Sequence, residues 1–281
     1  MSTSVVFAVL AAALLHACWN ALIRGAGDKV LFTLLLHVCT GVLGFLGLLW
    51  TDLPSIACWP YVLTSVLIHT LYILWLMRAY EGGQLALSYV LMRGLPPLLV
   101  ALCTATLLGE PLGITASLGI VCLSFGVLSI GIASSPSMLQ TLSRSSTQAA
   151  LLNAAAIAAY TLVDGLGVKL SANPLGYAFC LMAFEPIIIL SLNIRRQHRQ
   201  LITYMKDHWR IVIFGAVSSS VAYATVLWAM TQAPLAMVAA LRESSVVFAV
   251  LIGSFWFGEG QLKKGLLASL FVVIGLYLIR V

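Results

Sequence analysis

Charged residues are scarce in this sequence. Only 9% of its 281 residues are Asp, Glu, Lys or Arg, whereas a soluble domain carries about 25%. Hydrophobic residues make up 61%, and the mean hydropathy is +1.04. Because so little polar surface cannot cover a soluble globule of this length, the composition predicts an integral membrane protein from nearly end to end.

Motifs of enzymes and metal sites are also missing. The sequence contains no GxSxG, HExxH or Walker A pattern, and its six cysteines show neither CxxC nor Cys/His spacing. We therefore expect no enzyme, no cofactor, no metal and no ATP-driven pump. The net charge of +6 does not indicate nucleic acid, because the basic residues cluster between apolar segments.

Long apolar runs are what the sequence has instead. A helix needs about 20 mostly apolar residues to cross a bilayer, and breaks at charged residues, Gly or Pro leave ten such segments. The prediction is an all-α membrane protein with ten transmembrane helices and two longer connections, a Ser-rich one at 134–148 and a basic one at 194–210. The approximate spans are 4–24, 30–50, 60–80, 84–108, 113–133, 148–170, 174–193, 209–231, 235–257 and 262–280.

The two halves of the chain share a pattern of charge. Glu110 follows Arg93 by 17 residues, and Glu259 follows Arg242 by the same interval. Because each half has an odd number of helices, the second half enters the membrane in the opposite sense, which makes an inverted repeat of the kind common in secondary transporters. The predicted units are a first five-helix repeat, a linker and a second five-helix repeat, at residues 1–135, 136–148 and 149–281.

Each arginine lies in a longer motif. In the first half, Tyr-x-x-x-Arg-Gly-x-x-Pro at 89–97 is followed by LLGEPL, and in the second half ALRESSVVFAVLIG is followed by FGEG. These motifs resemble the two repeats of EamA-type transporters of the drug/metabolite transporter superfamily, over essentially the whole chain. The resemblance implies alternating access and, most often, export of amino acids, metabolites or drugs from bacteria. The resemblance also implies a multi-pass protein of the inner membrane that is monomeric or homodimeric and has a small-molecule substrate.

The first arginine lies in an unusual local sequence. Burying an ionisable group at bilayer depth costs about 2.5–3.5 kcal/mol, so such a group faces a cavity or a partner. Arg93 lies one helical turn beyond Tyr89, and Pro96 and Pro97 interrupt the backbone ladder after it. A broken helix beside an arginine suits recognition of an anion, and packing between the halves is the alternative.

The second arginine is followed directly by an acid. Neighbours in a helix do not face each other, so Arg242 and Glu243 are expected to point to different surfaces. Arg242 is a candidate for substrate contact, and Glu243 is a candidate partner for Arg93. A binding site and a purely structural ion pair are both open.

The first and sixth segments each carry a polar face. His16, Trp19 and Asn20 lie on one face of the first segment, and Tyr160 and Asp164 lie one turn apart on the sixth. Both faces are candidate substrate-binding surfaces. The alternatives are hydrogen bonds between helices for the first face and a place at the membrane interface for Asp164.

Two further residues are candidates for proton coupling. His69 lies in the third segment, and Glu185 precedes Pro186 in the seventh. Histidine titrates near neutral pH, and so can a carboxyl group removed from water. A structural role is the alternative for each.

Two arguments about the orientation of the chain in the membrane disagree. Loops after odd-numbered segments hold nearly all of the basic residues, and Lys169 is the one assigned to an even-numbered loop. The positive-inside rule then places both termini outside, whereas the family resemblance implies that both are inside.

The sequence as a whole predicts a secondary transporter, proton-coupled or exchange-coupled, with a membrane-embedded enzyme or lipid-handling protein as the alternative.

Overall fold

The computed structural model describes residues 1–81, 91–110, 112–134, 144–256 and 262–280. All of the regular structure in these ranges is helical, which confirms the predicted all-α class. The helices are α1 (Thr3–Gly25), α2 (Lys29–Leu48), α3 (Trp59–Glu81), α4 (Pro96–Leu107), α5 (Ile114–Ser134), α6 (Arg144–Leu170), α7 (Pro174–Gln232), α8 (Leu235–Arg242), α9 (Ser245–Trp256) and α10 (Leu262–Arg280), with a short 3-10 turn at Ile56–Cys58.

Seven stretches of the described chain are long and apolar enough to cross a bilayer. They are Thr3–Gly25, Lys29–Leu48, Ile56–Leu76, Thr147–Leu170, Pro174–Ser191, Gln200–Gln232 and Leu235–Trp256. Three shorter apolar helices accompany them, at Leu91–Leu107, Ile114–Ser129 and Ser269–Ile279. Many large apolar side chains are exposed on these helices, for example Phe7, Leu63 and Phe214, as a lipid-facing surface requires.

Short polar residues set where several helices begin. Asp28 accepts hydrogen bonds from the backbone N–H groups of Val30 and Leu31 at the start of α2. Asn173 accepts one from Gly176 at the start of α7, where Pro174 takes the first helical position. These caps satisfy donors that have no partner within the helix, which matters more in an apolar surrounding than in water.

The predicted basic loop at 194–210 is wrong as a loop, because α7 is helical through it. The helix cannot be straight, since Tyr177 and Tyr223 both hydrogen-bond to Asp164, and a straight helix would hold them about 70 Å apart. The chain therefore folds back on itself between these tyrosines, and α7 consists of two antiparallel helical arms. The basic composition misled the prediction because lysine and arginine are good helix formers as well as loop residues.

Two helices are broken beside the arginines. The helical residues 91–94 are interrupted at Leu95, and α4 starts afresh with Pro96 and Pro97 at its first two positions. The predicted single span 235–257 is likewise two helices, because the chain turns at residues 243–244 between α8 and α9. At that turn the backbone N–H of Glu243 donates to the carbonyl of Ala240, three residues back. The last turn of α8 is therefore of the tighter 3-10 type, and the α-helical hydrogen bonding ends there.

Glycines allow the closest contacts between helices. A Cβ at Gly119 of α5 would lie 2.7 Å from the backbone oxygen of Gly275 in α10, and a Cβ at Gly275 would lie 2.6 Å from that of Gly119. In the same way, a Cβ at Gly44 of α2 would lie 2.5 Å from the backbone nitrogen of Ala183 in α7. Small residues of this kind let helix backbones approach within a bilayer, where the hydrophobic effect gives little help.

The α5–α10 contact yields a prediction for stability. We expect Gly275→Ala to lower the melting temperature of the purified protein in detergent, with a cost of about 1–3 kcal/mol typical of overpacking, because the obstructing atoms belong to the backbone of Gly119. Gly113→Ala is the matched control, since no atom lies within 4 Å of a Cβ built there. Equal melting temperatures for both variants would contradict the close packing of α5 and α10.

Candidate functional site

The two arginines meet on one carboxylate. Arg93 Nη1 lies 3.8 Å from Glu243 Oε1, and Arg242 Nε lies 3.6 Å from the same oxygen. The side chains are only 6%, 8% and 1% exposed for Arg93, Arg242 and Glu243, respectively. The ion pair expected between Arg93 and Glu243 is therefore present, and it joins the two halves of the chain at a buried place.

The expectation that Arg242 and Glu243 point to different surfaces is wrong. It assumed that both residues lie within one helix, where neighbours diverge. Arg242 is instead the last residue of α8, and Glu243 is the residue after its end. The turn there brings both side chains to the same side. The Glu-Ser-Ser sequence after Arg242 was the available signal, because serines favour helix ends over helix interiors.

Helix α1 supplies a histidine to this cluster. Arg93 Nη2 lies 2.6 Å from His16 Nε2, so the arginine donates and the histidine nitrogen accepts. Trp19 packs edge-on against His16, with ring centroids 5.0 Å apart. Asn20 donates its side-chain N–H to the backbone oxygen of His16 at 2.7 Å. The predicted polar face of α1 thus lies together, with His16 as its link to Arg93.

Tyr160 of α6 connects the arginines to a second cluster. The guanidinium carbon of Arg242 lies 5.8 Å from the centroid of the Tyr160 ring, within the range of a cation–π contact. On its other side, Tyr160 stacks on His69 of α3 with centroids 4.1 Å apart, and Tyr72 packs edge-on against both rings. The two polar clusters are therefore joined by aromatic rings rather than by charges.

Asp164 lies at the centre of the second cluster and is 1% exposed. Tyr177 and Tyr223, from the two arms of α7, donate hydrogen bonds to its Oδ1 and Oδ2 at 3.2 and 2.5 Å. Sequence reasoning missed both tyrosines. Their hydroxyl groups within apolar runs were the only signal, and tyrosine is common at membrane interfaces, so the signal was weak.

Two candidate residues stand apart from these contacts. Glu185 pairs with His37 of α2, its Oε1 lying 3.7 Å from Nε2 of the imidazole, and it also interacts electrostatically with Tyr72 at the edge of the second cluster. Tyr89 lies outside the residues that the structure describes. The remaining predicted residues are brought together in the two clusters.

The arginine cluster leaves several buried polar atoms without hydrogen bonds. They are both carboxylate oxygens of Glu243, Nε of Arg242 and Nε1 of Trp19. A buried donor or acceptor left unpaired costs about 1–3 kcal/mol. Donors and acceptors are thus both available at this place, so it could bind a polar solute.

Comparison with known proteins agrees with the motifs. Residues 145–281 match the model of the EamA-like transporter family, which confirms the predicted resemblance for the second half of the chain. One crystal structure of another protein superposes on this chain with a TM-score of 0.74 and 17% identity, covering 99% of this chain and 98% of that one. At that identity, the likeness shows the fold alone. No curated protein matches the sequence.

The buried ion pairs yield a second prediction. Removing one partner of a buried pair costs about 3–5 kcal/mol, because the remaining charge is left uncompensated, whereas exposed pairs contribute about 0–1 kcal/mol. We therefore expect Glu243→Gln to lower the melting temperature strongly. Glu110→Gln is the matched control, because Glu110 pairs with Lys169 at 3.5 Å but is 47% exposed. Similar losses in both variants, measured by thermal unfolding in detergent, would show that Glu243 does not compensate the arginines.

Proposed function

We propose that this chain, whose residues 145–281 match the EamA-like transporter family of the drug/metabolite transporter superfamily, is a secondary transporter. In this proposal it moves small polar metabolites, amino acids or related compounds among them, or drugs across the bacterial inner membrane by alternating access. Export is the proposed direction.

One observation carries the proposal beyond the family. Arg93, Arg242 and Glu243 lie buried together among apolar helices, at the two places where helices are broken. Charged groups at bilayer depth are costly and mark the pathways of substrates and ions. Broken helices near the midplane are the usual way in which transporters expose backbone groups to a bound solute. The combination supports a central binding site between the halves.

The packing of the helices supports an inverted repeat. Helix α1 packs against α7, α8 and α9, and α6, its counterpart in the second half, packs against α3 and α4. Helices α5 and α10, the last of each half, pack along each other. There Cys122 Sγ lies 3.4 Å from the backbone oxygen of Phe271, and 149 residues separate them. The same interval separates Arg93 from Arg242, as a two-fold axis between the halves requires.

The same packing supports a ten-span topology. The two arms of α7 count as two spans, and α8 with α9 counts as one broken span. The segment Leu91–Leu107 takes the equivalent place in the first half. With the remaining helices this makes five spans in each half, and an odd number per half inverts the second.

The cluster suggests how a solute is recognised. The guanidinium groups of Arg93 and Arg242 suit a carboxylate or a phosphate, and the oxygens of Glu243, which accept no hydrogen bond, suit a hydrogen-bond donor. The rings of Trp19 and Tyr160 provide an apolar wall beside them. His16 orients Arg93 through the hydrogen bond at its Nε2.

The proposed role of the arginines can be tested by replacing them with lysine, which keeps the charge but loses the planar fork. The substrate is first identified by comparing metabolites in the medium of cells with and without the protein, and its flux is then measured in proteoliposomes. We expect at least one of the two variants, Arg93→Lys and Arg242→Lys, to raise KM about tenfold or more. The reason is that hydrogen bonds to a charged group contribute about 1.5–3 kcal/mol. Arg210→Lys, at an exposed position, is the control and should leave KM unchanged.

If neither lysine variant changes KM, while alanine variants only reduce the amount of folded protein, the arginines serve as structural supports. The transport function would then stand without them as binding residues. If wild-type protein moves no metabolite found in the screen, the transport proposal itself fails.

Coupling to protons is the last part of the proposal. His69 and Asp164 are buried beside the proposed site, and Glu185 lies near His37 and interacts with Tyr72 at the edge of the same cluster. We expect flux of the identified metabolite to fall several-fold when the pH gradient and the membrane potential are collapsed. Flux that persists unchanged under those conditions would indicate exchange rather than proton coupling.

A further inference from the structure

We propose that Asp164, Tyr177 and Tyr223 form an inner gate on one side of the arginine cluster. The three residues, here called the Asp164 layer, would separate the binding site from the membrane face at which α6 ends. This inference rests on the proposed transport function for its meaning, but its test does not depend on a substrate.

The position of the Asp164 layer along α6 is the first argument. Tyr160, which contacts Arg242, lies one turn before Asp164, and Lys169 lies near the end of the helix. A solute that passed from the arginine cluster towards that end would meet Asp164 on the way. The layer thus lies between the site and the surface.

The layer is tightly packed around Asp164 and Tyr177, and Tyr223 is partly buried beside them. Asp164 is 1% exposed and Tyr177 is fully buried. A Cβ built on Gly167, one turn after Asp164, would lie 2.5 Å from the Tyr177 hydroxyl and 2.6 Å from Cβ of Tyr61. The described structure is therefore closely packed at this level.

Beyond the layer, the two halves are tied together at the surface. The backbone N–H of Ser55 donates to the carbonyl of Ser171 at 2.9 Å, and Asn173 donates its side-chain N–H to the backbone oxygen of Asp52 at 2.7 Å. The Lys169–Glu110 ion pair lies at the same end of α6. These contacts join the loop at 49–55 to the loop at 171–173, so opening this end must break them as well as the layer.

The chemistry of the layer suits a contact that opens and closes. A contact made only of apolar side chains would lose its packing on opening and would expose apolar surface to water. Here the carboxylate and the two hydroxyls exchange their mutual hydrogen bonds for hydrogen bonds to entering water, so the net cost of opening stays small. Because Tyr177 and Tyr223 come from opposite arms of α7, breaking these bonds frees both arms from α6 at once.

The native cysteines provide the readout. Cys58 and Cys180 are fully buried in the same apolar cluster as Tyr177. In a background where the other four cysteines are replaced by alanine, the rate at which a membrane-impermeant maleimide labels these two reports opening of this end. The four replaced residues are Cys18, Cys39, Cys103 and Cys122. Leu53→Cys, exposed on the loop, identifies the membrane side at which this end lies.

We expect Tyr177→Phe and Tyr223→Phe each to raise the labelling rate about tenfold, because each removes one hydrogen bond to a buried carboxylate. The increase should occur only when the reagent is added on the side that labels Leu53→Cys. Tyr277→Phe is the control, since the Tyr277 side chain is 67% exposed on α10, and its labelling rate should equal that of the background. Asp164→Asn, which keeps the size of the side chain but loses the charge, should also raise the rate.

Unchanged labelling in all three layer variants would overturn the gate. Equal increases from both sides of the membrane, together with a lower melting temperature, would also overturn it, because they would indicate general loosening. A protein that shows the sided increase but moves no metabolite would leave the gate standing and refute the transport function instead.

Discussion

One carboxylate shared by two arginines is the constraint on which the centre of this protein depends. Glu243 is almost completely buried, and its partners Arg93 and Arg242 belong to opposite halves of the chain. Burying three charges among apolar helices is costly unless they lie close together. Each half must therefore bring its arginine to the same point, and each does so at a break in a helix. The Pro pair after Arg93 and the turn at Glu243 are two local solutions to that one requirement.

The rest of the helical packing follows from keeping this point buried. The glycine contacts between α5 and α10 and between α2 and α7 bring backbones close where apolar attraction is weak. The aromatic rings of Tyr160, His69 and Tyr72 fill the space beside the arginines without adding charge. Among the described residues, ionic contacts lie at this centre, at the partly buried His37–Glu185 pair and at the more exposed Lys169–Glu110 pair.

The polar groups of the interior form layers along α6. Tyr160 faces the arginine cluster, Asp164 holds the two arms of α7, and Lys169 reaches the surface. In the proposed function, this arrangement supplies both a binding site and a barrier along one helix. It also explains why Asp164, which looked like a binding residue in the sequence, has its oxygens engaged by protein hydroxyls.

The sequence by itself determined the helical class, the spacing of the two arginines and the likeness of residues 145–281 to a transporter family. These depend on composition, on apolar run length and on a short motif, all of which are local properties. The pairing of Arg93 with Glu243 was also foreseeable, because a buried charge needs a partner and few acids are present. Only the tertiary structure decided which way Glu243 points. Adjacent residues within one helix point to different sides, but α8 ends at Arg242, so this rule does not apply to Arg242 and Glu243. Only the tertiary structure brought Tyr177 and Tyr223 to one carboxylate, because the reversal of α7 joins residues that a helical pattern treats as distant.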